Sequence, residues 1–111
     1  MKAGDYVKKG LENMVEEKPE GYTELGKHTS GCHSVSFFIK GSAEGIEDIK
    51  FKATKRCKKL LAVADLVAKK IKEKGKVEFD EEEILSFFKE EKEQDKLKDR
   101  LEMVKKALNI A

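Results

Sequence analysis

The sequence predicts an α+β fold: a three-stranded antiparallel sheet preceded by an N-terminal helix and followed by three C-terminal helices. Three observations point there. Polar and apolar residues alternate through 34–54, the period of a strand whose two faces differ. From Cys57 onward apolar residues recur at three and four, the period of an amphipathic helix. The strand-like segments come as a run and the helical ones follow as another, the order of an α+β protein. At 111 residues the chain makes one domain with a single modest core.

The first helix is expected over Asp5–Glu17, with Asp5 as N-cap, Val7, Leu11, Met14 and Val15 on one face, and Pro19 as its stop. Gly21–His28 alternates weakly through Tyr22 and Leu25 and reads as an edge strand. Ser34–Lys40 and Ile49–Thr54 are the better strands, joined by the segment Gly41–Gly45. Val35, Phe37 and Ile39 point one way with Ile49, Phe51 and Ala53. The other face, with Ser34, Ser36, Phe38, Lys50 and Lys52, is expected to be mostly wet. Cys57–Lys74 is the strongest helix, striped by Leu60, Val63, Ala64, Val67 and Ile71 and stopped by Gly75. Asp80 caps a helix carrying Ile84, Leu85, Phe87 and Phe88. A polar link, KEEKEQDK, leads to a last helix with Leu97, Leu101, Val104 and Leu108 on one face.

Composition excludes several roles. Charged residues make up 41% of the chain, yet the net charge is +2 and the signs interleave without a basic stripe, so no nucleic acid partner is expected. The longest apolar run, Leu60–Ala64, is far too short to span a membrane, and Met1–Gly10 lacks the apolar core of a signal peptide. A cytoplasmic location is expected, where two cysteines are free thiols or metal ligands rather than a disulfide.

Those cysteines mark the place for chemistry. Cys32 precedes one strand and Cys57 follows the next, so two antiparallel neighbours return the chain to the same end of the sheet. Cys57 also opens a helix, where the partial positive charge favours a thiolate. Lys55, Arg56, Lys58 and Lys59 add positive charge around it, although such runs are more often a solvated collar.

The order of elements, with FFIKGSAEGIEDIKFKATKRC and the helix behind it, resembles the NifU/IscU-type iron–sulfur cluster assembly scaffolds. Cys32 stands at the family's first cysteine, Gly45-Ile46-Glu47-Asp48 at its turn, Phe51-Lys52 at its strand signature and Cys57 at its second cysteine. The resemblance spans nearly the whole of residues 1–111 and implies a SufE/NifU-like fold in one domain. It also implies a non-enzymatic scaffold that takes sulfur from a cysteine desulfurase and hands clusters to apo iron–sulfur proteins. The departures lie at the site. His33 and Ser34 follow Cys32 where the family has glycine and aspartate. No cysteine follows Cys57; counting back from Ala107-Leu108 puts Lys96 near the lost ligand, with Asp95 and Asp99 beside it.

An iron–sulfur cluster or zinc ion in a closed site takes about four soft ligands. Cys32, His33 and Cys57 offer three, with Asp95 or a water as the fourth, and His28 is a more remote candidate. The plainer alternative is a pair of half-buried thiols beside a loop histidine. Three functions therefore stay open: a scaffold binding metal or sulfur through Cys32 and Cys57, an interaction module that builds no cluster, and a persulfide carrier using Cys57.

Overall fold

The computed structural model describes residues 1–110. The elements follow in the order α1 (Ala3–Lys8), β1 (Thr23–Ser30), β2 (His33–Ser42), β3 (Gly45–Ala53), α2 (Lys58–Lys74), α3 (Glu81–Phe87) and α4 (Gln94–Ala107). The strands form one antiparallel sheet in the order β1–β2–β3. Val35 lies opposite Ala53, Phe37 opposite Phe51 and Ile39 opposite Ile49, so these six share a face, and all are buried. The α2 helix packs against β3 and buries Leu60, Val63, Ala64, Val67 and Ile71. Each large apolar side chain so buried contributes roughly 1.5–3 kcal/mol. Packing therefore holds this helix more than intrinsic propensity does.

The end of α2 and the start of α3 follow their sequence signals, whereas α1 has Lys2 rather than Asp5 at its N-cap. Gly75 takes φ 73°, and its N–H reaches Ile71 O at 2.8 Å, closing α2 with a left-handed cap. The Gly75 carbonyl in turn accepts from Ile46 N at 2.8 Å, tying the end of α2 to the start of β3. The Asp80 side chain accepts from Glu82 N at 3.0 Å and opens α3. The hairpin is tighter than the segment Gly41–Gly45 suggests. β2 runs on to Ser42 and β3 begins at Gly45, leaving only Ala43 and Glu44 between them. Gly41, at φ 99°, sits where the register shifts; a Cβ there would come within 2.5 Å of Gly45 O.

The first helix is shorter than its apolar spacing predicts. It ends at Lys8, and Gly10 turns the chain at φ 105°, so Pro19 is not its stop. Beyond that turn the chain extends beside β3: Phe51 N donates to Asn13 O and Val15 N to Phe51 O, both at 2.8 Å, with Met14 bridged in parallel to Phe51. Two features favour this over more helix. It satisfies backbone groups of β3 that would otherwise be an open sheet edge. It also answers the buried Asp65 of α2, which is 2% exposed and accepts from Tyr6 Oη at 2.7 Å and Asn13 N at 2.9 Å. A buried carboxylate without donors is costly, and a helix continued to Glu17 would hold the Asn13 N–H within itself.

Residues 16–22 then carry the chain from the β3 side to the start of β1, crossing the sheet's outer face. Glu17 and Lys18 share a cavity of about 510 Å³ with Ser34, Ser36, Phe38 and Lys52, and Tyr22 hydrogen-bonds to Asp48. This face is consequently drier than alternation predicts, with Phe38 5% and Ser36 7% exposed. β1 starts and ends two residues later than expected, leaving Tyr22 to the crossing segment.

Candidate functional site

Pairing of β2 with β3 continues past Ala53. Thr54 N donates to Ser34 O at 3.1 Å, and Ser34 N donates to Thr54 Oγ1 at 2.9 Å. Cys32, in the turn before β2, and Cys57, after β3, therefore lie at the same end of the sheet. Both are free thiols, Cys32 exposed and Cys57 half-buried. Cys57 is the N-cap of α2, extended at φ −105°, and its carbonyl accepts from Leu61 N at 3.1 Å. The Cys57 side chain makes no capping hydrogen bond to the first turn, although the residue stands at the positive end of the helix.

The side chain that reaches Cys57 comes from α4. Arg100 Nε donates to Cys57 Sγ at 3.2 Å, Nη2 approaches His33 Nε2 at 3.4 Å, and Nη1 donates to Asp99. The Arg100 side chain is 16% exposed and Asp99 64%, so the guanidinium is sunk between Cys57 and His33 with its counter-charge toward solvent. The hydrogen bond to Cys57 raises the Arg100 pKa above its ordinary value against the opposing effect of burial, and Asp99 assists. A guanidinium only donates, so this approach is a hydrogen bond when His33 Nε2 accepts, the tautomer that carries its proton on Nδ1. That Nδ1 is buried and has no hydrogen-bond partner among the described residues.

Two of the four cations of the expected collar are engaged elsewhere. Lys55 pairs with Glu16 at 2.6 Å, and Lys59 with Glu93 at 3.0 Å. Hydrogen bonds from Lys96 and Lys59 hold the Glu93 carboxyl at about 2. The cation on the sulfur is therefore Arg100, which the cysteine-proximal sequence does not show. A signal for it exists: Leu97, Arg100, Leu101, Val104 and Leu108 follow the helical period, so an arginine stands within the apolar stripe of α4. An arginine there is positioned to face the protein.

The expected ligands do not all converge. Cys57 and His33 meet on one guanidinium. Asp95 is exposed in the first turn of α4, Lys96 pairs with Glu93 at 2.8 Å, and His28 lies opposite Val35 in the β1–β2 ladder. Among the described residues, no three His, Cys, Asp or Glu side chains gather as a metal would need. Arranged this way, the residues do not fit a closed zinc or iron–sulfur site, and a cation already contacts two of the donors. Chemically, the site offers a sulfur nucleophile held between a helix N-terminus and a guanidinium. Glu81 and Glu83 are engaged structurally, with Lys105 at 3.2 Å and Lys70 at 3.3 Å.

The chain matches no protein-family model and no curated protein. No helix among the described residues is long and apolar enough to cross a membrane.

Proposed function

We propose that this chain is a cytoplasmic sulfur carrier on a NifU/IscU-like fold, a binding protein rather than an enzyme. Cys57 takes sulfane sulfur from a cysteine desulfurase and delivers it toward apo iron–sulfur proteins. The observation that supports it is the Arg100 Nε to Cys57 Sγ hydrogen bond of 3.2 Å at the N-cap of α2. Charge-assisted hydrogen bonds favour an anionic sulfur, the form that attacks. In the transfer, the Cys57 thiolate attacks the outer sulfur of the donor's persulfide, R–S–SH. A new S–S bond forms on Cys57, the donor's S–S bond breaks, and the donor leaves as R–S⁻; no net oxidant is needed. The resulting persulfide is itself acidic, and the same guanidinium can hold its anion. Cys32 supplies a second, exposed thiol at the same end of the sheet.

A second reading is the cluster-building scaffold, with Cys32, His33, Cys57 and Asp95 as ligands to an iron–sulfur cluster or zinc. It draws on the nearness of Cys57 and His33 to one point, which a metal could occupy only if Arg100 withdrew from both. The two readings separate on one experiment: anaerobic incubation with a cysteine desulfurase and radiolabelled cysteine, in the presence of a chelator. A carrier acquires label that reductant removes and that Cys57→Ser abolishes. A scaffold that needs metal acquires none until iron is restored.

A further inference from the structure

We propose that Arg100 is a resident cation that keeps divalent metal off Cys57 and His33, reserving the Cys57 sulfur for sulfur chemistry. This deepens the carrier reading and rests on it for its purpose, but its physical basis is separate. Three features on the page carry it. The guanidinium already contacts both soft donors, at 3.2 Å to Cys57 Sγ and 3.4 Å to His33 Nε2. It is sunk into the protein, 16% exposed, and fixed on its third nitrogen by Asp99. It cannot surrender its charge by losing a proton, because an arginine stays protonated at every physiological pH.

A zinc ion bonds thiolate sulfur at about 2.3 Å, so on Cys57 it would sit within about 5.5 Å of Arg100 Nε. The ion would need both donor lone pairs that the guanidinium now occupies, and it would face a like charge at a partly buried site where screening is weak. Binding therefore requires Arg100 to withdraw. Withdrawal breaks the bonds to Cys57 and His33 and separates the guanidinium from groups that favour its present place. Lysine would be a poorer guard: its single ammonium cannot span sulfur, imidazole and carboxylate together.

The test is anaerobic zinc titration against a chromogenic chelator, with zinc alone as the probe. Wild type is expected to bind weakly. Arg100→Ala is expected to take one zinc per chain at least tenfold more tightly, and to lose that gain when Cys57→Ser or His33→Ala is added. Arg100→Gln, which keeps bulk and hydrogen bonding but no charge, serves if the alanine variant loses its fold by circular dichroism; a gain of the same sign is expected. A second measurement needs no variant: micromolar zinc should not protect Cys57 of the wild type from alkylation. Zinc protection of wild-type Cys57, or Arg100 variants that bind no tighter than wild type, would overturn the proposal. Wild type that refuses zinc and also takes no sulfane sulfur on Cys57 would leave this inference standing and remove the carrier reading.

Discussion

Arg100 Nε lies 3.2 Å from Cys57 Sγ, joining the last helix to the N-cap of α2 across 43 residues of sequence. This contact makes the corner between β3 and α2 more than a turn with a thiol in it. The first prediction concerns its reactivity. A charge-assisted hydrogen bond contributes about 1.5–3 kcal/mol, part of which acts only on the anionic sulfur. Arg100→Gln should slow alkylation of Cys57 relative to Cys32, because the attacking sulfur loses its charge-assisted donor. Cys32, exposed and lacking this contact, serves as internal reference in the same digest. An unchanged Cys57 to Cys32 rate ratio would show that the guanidinium does not act on the sulfur.

The position of α4 should control that contact from a distance. A Cβ on Gly26 of β1 would lie 2.2 Å from the carbonyl oxygen of Ala107 and 2.9 Å from Asn109 Nδ2. Backbone cannot give way as a flexible side chain can, so Gly26→Ala should push the C-terminal end of α4 off the sheet. Overpacking of this kind costs about 1–3 kcal/mol. Urea unfolding should show that loss, and Cys57 alkylation should slow as Arg100 is drawn from its place. A variant with lowered stability and unaltered Cys57 chemistry would show that α4 moves without carrying the guanidinium.

The N-terminal segment hangs on one buried carboxylate. Asp65 accepts from Tyr6 Oη and Asn13 N, and Tyr6 is raised well above the usual tyrosine pKa by burial first and then by this bond. Asp65→Ala leaves the buried Asn13 N–H unsatisfied, at about 1–3 kcal/mol, and also releases the part-buried Tyr6 hydroxyl, whereas Tyr6→Phe removes only the latter bond and should cost less. Limited proteolysis should then cut first between Gly10 and Tyr22 in Asp65→Ala. Wild-type resistance in that variant would mean that pairing with Phe51 and the Lys72 Nζ to Asn13 Oδ1 bond of 3.0 Å hold the segment without Asp65.

Acid should weaken the segment that crosses the outer face. Burial would raise the Asp48 carboxyl, but hydrogen bonds from Lys72 and Tyr22 and the charges of Lys50 and Lys72 outweigh it and hold it at about 2. The same bond pushes Tyr22 up to about 12. A carboxylate depressed in the folded state stabilises fully above its unfolded value of about 3.9, and that contribution disappears as pH falls toward the folded value. Asp48→Asn should therefore be less stable than wild type at pH 6 and nearly equal to it near pH 2. Equal pH dependence of urea midpoints in the two proteins would refute this.

Most of the architecture could be read from the chain because its cause is local. The stripe of α2, its Gly75 stop, the Asp80 cap and the alternation through β2 and β3 each depend on residues a few positions apart. The N-terminal helix could not be bounded this way. Val7, Leu11 and Met14 pack against the core whether the backbone is helical or extended, and the choice falls to Asp65, a residue of another helix. The site divides similarly. Cys32 and Cys57 follow from strand topology, and His33 from adjacency to Cys32. Arg100 reaches them only through the packing of α4, one turn beyond Lys96, where counting from Ala107-Leu108 pointed.

Peptide mass mapping tests the central claim most directly. Anaerobic wild-type protein would be treated with a low-molecular-weight persulfide and a chelator, trapped by alkylation and digested. The account predicts that the Cys57 peptide gains the mass of one sulfur atom, that reductant removes it, and that Arg100→Gln lowers the yield. Sulfur found on Cys32 alone, or on neither cysteine, in folded and metal-free protein would contradict it.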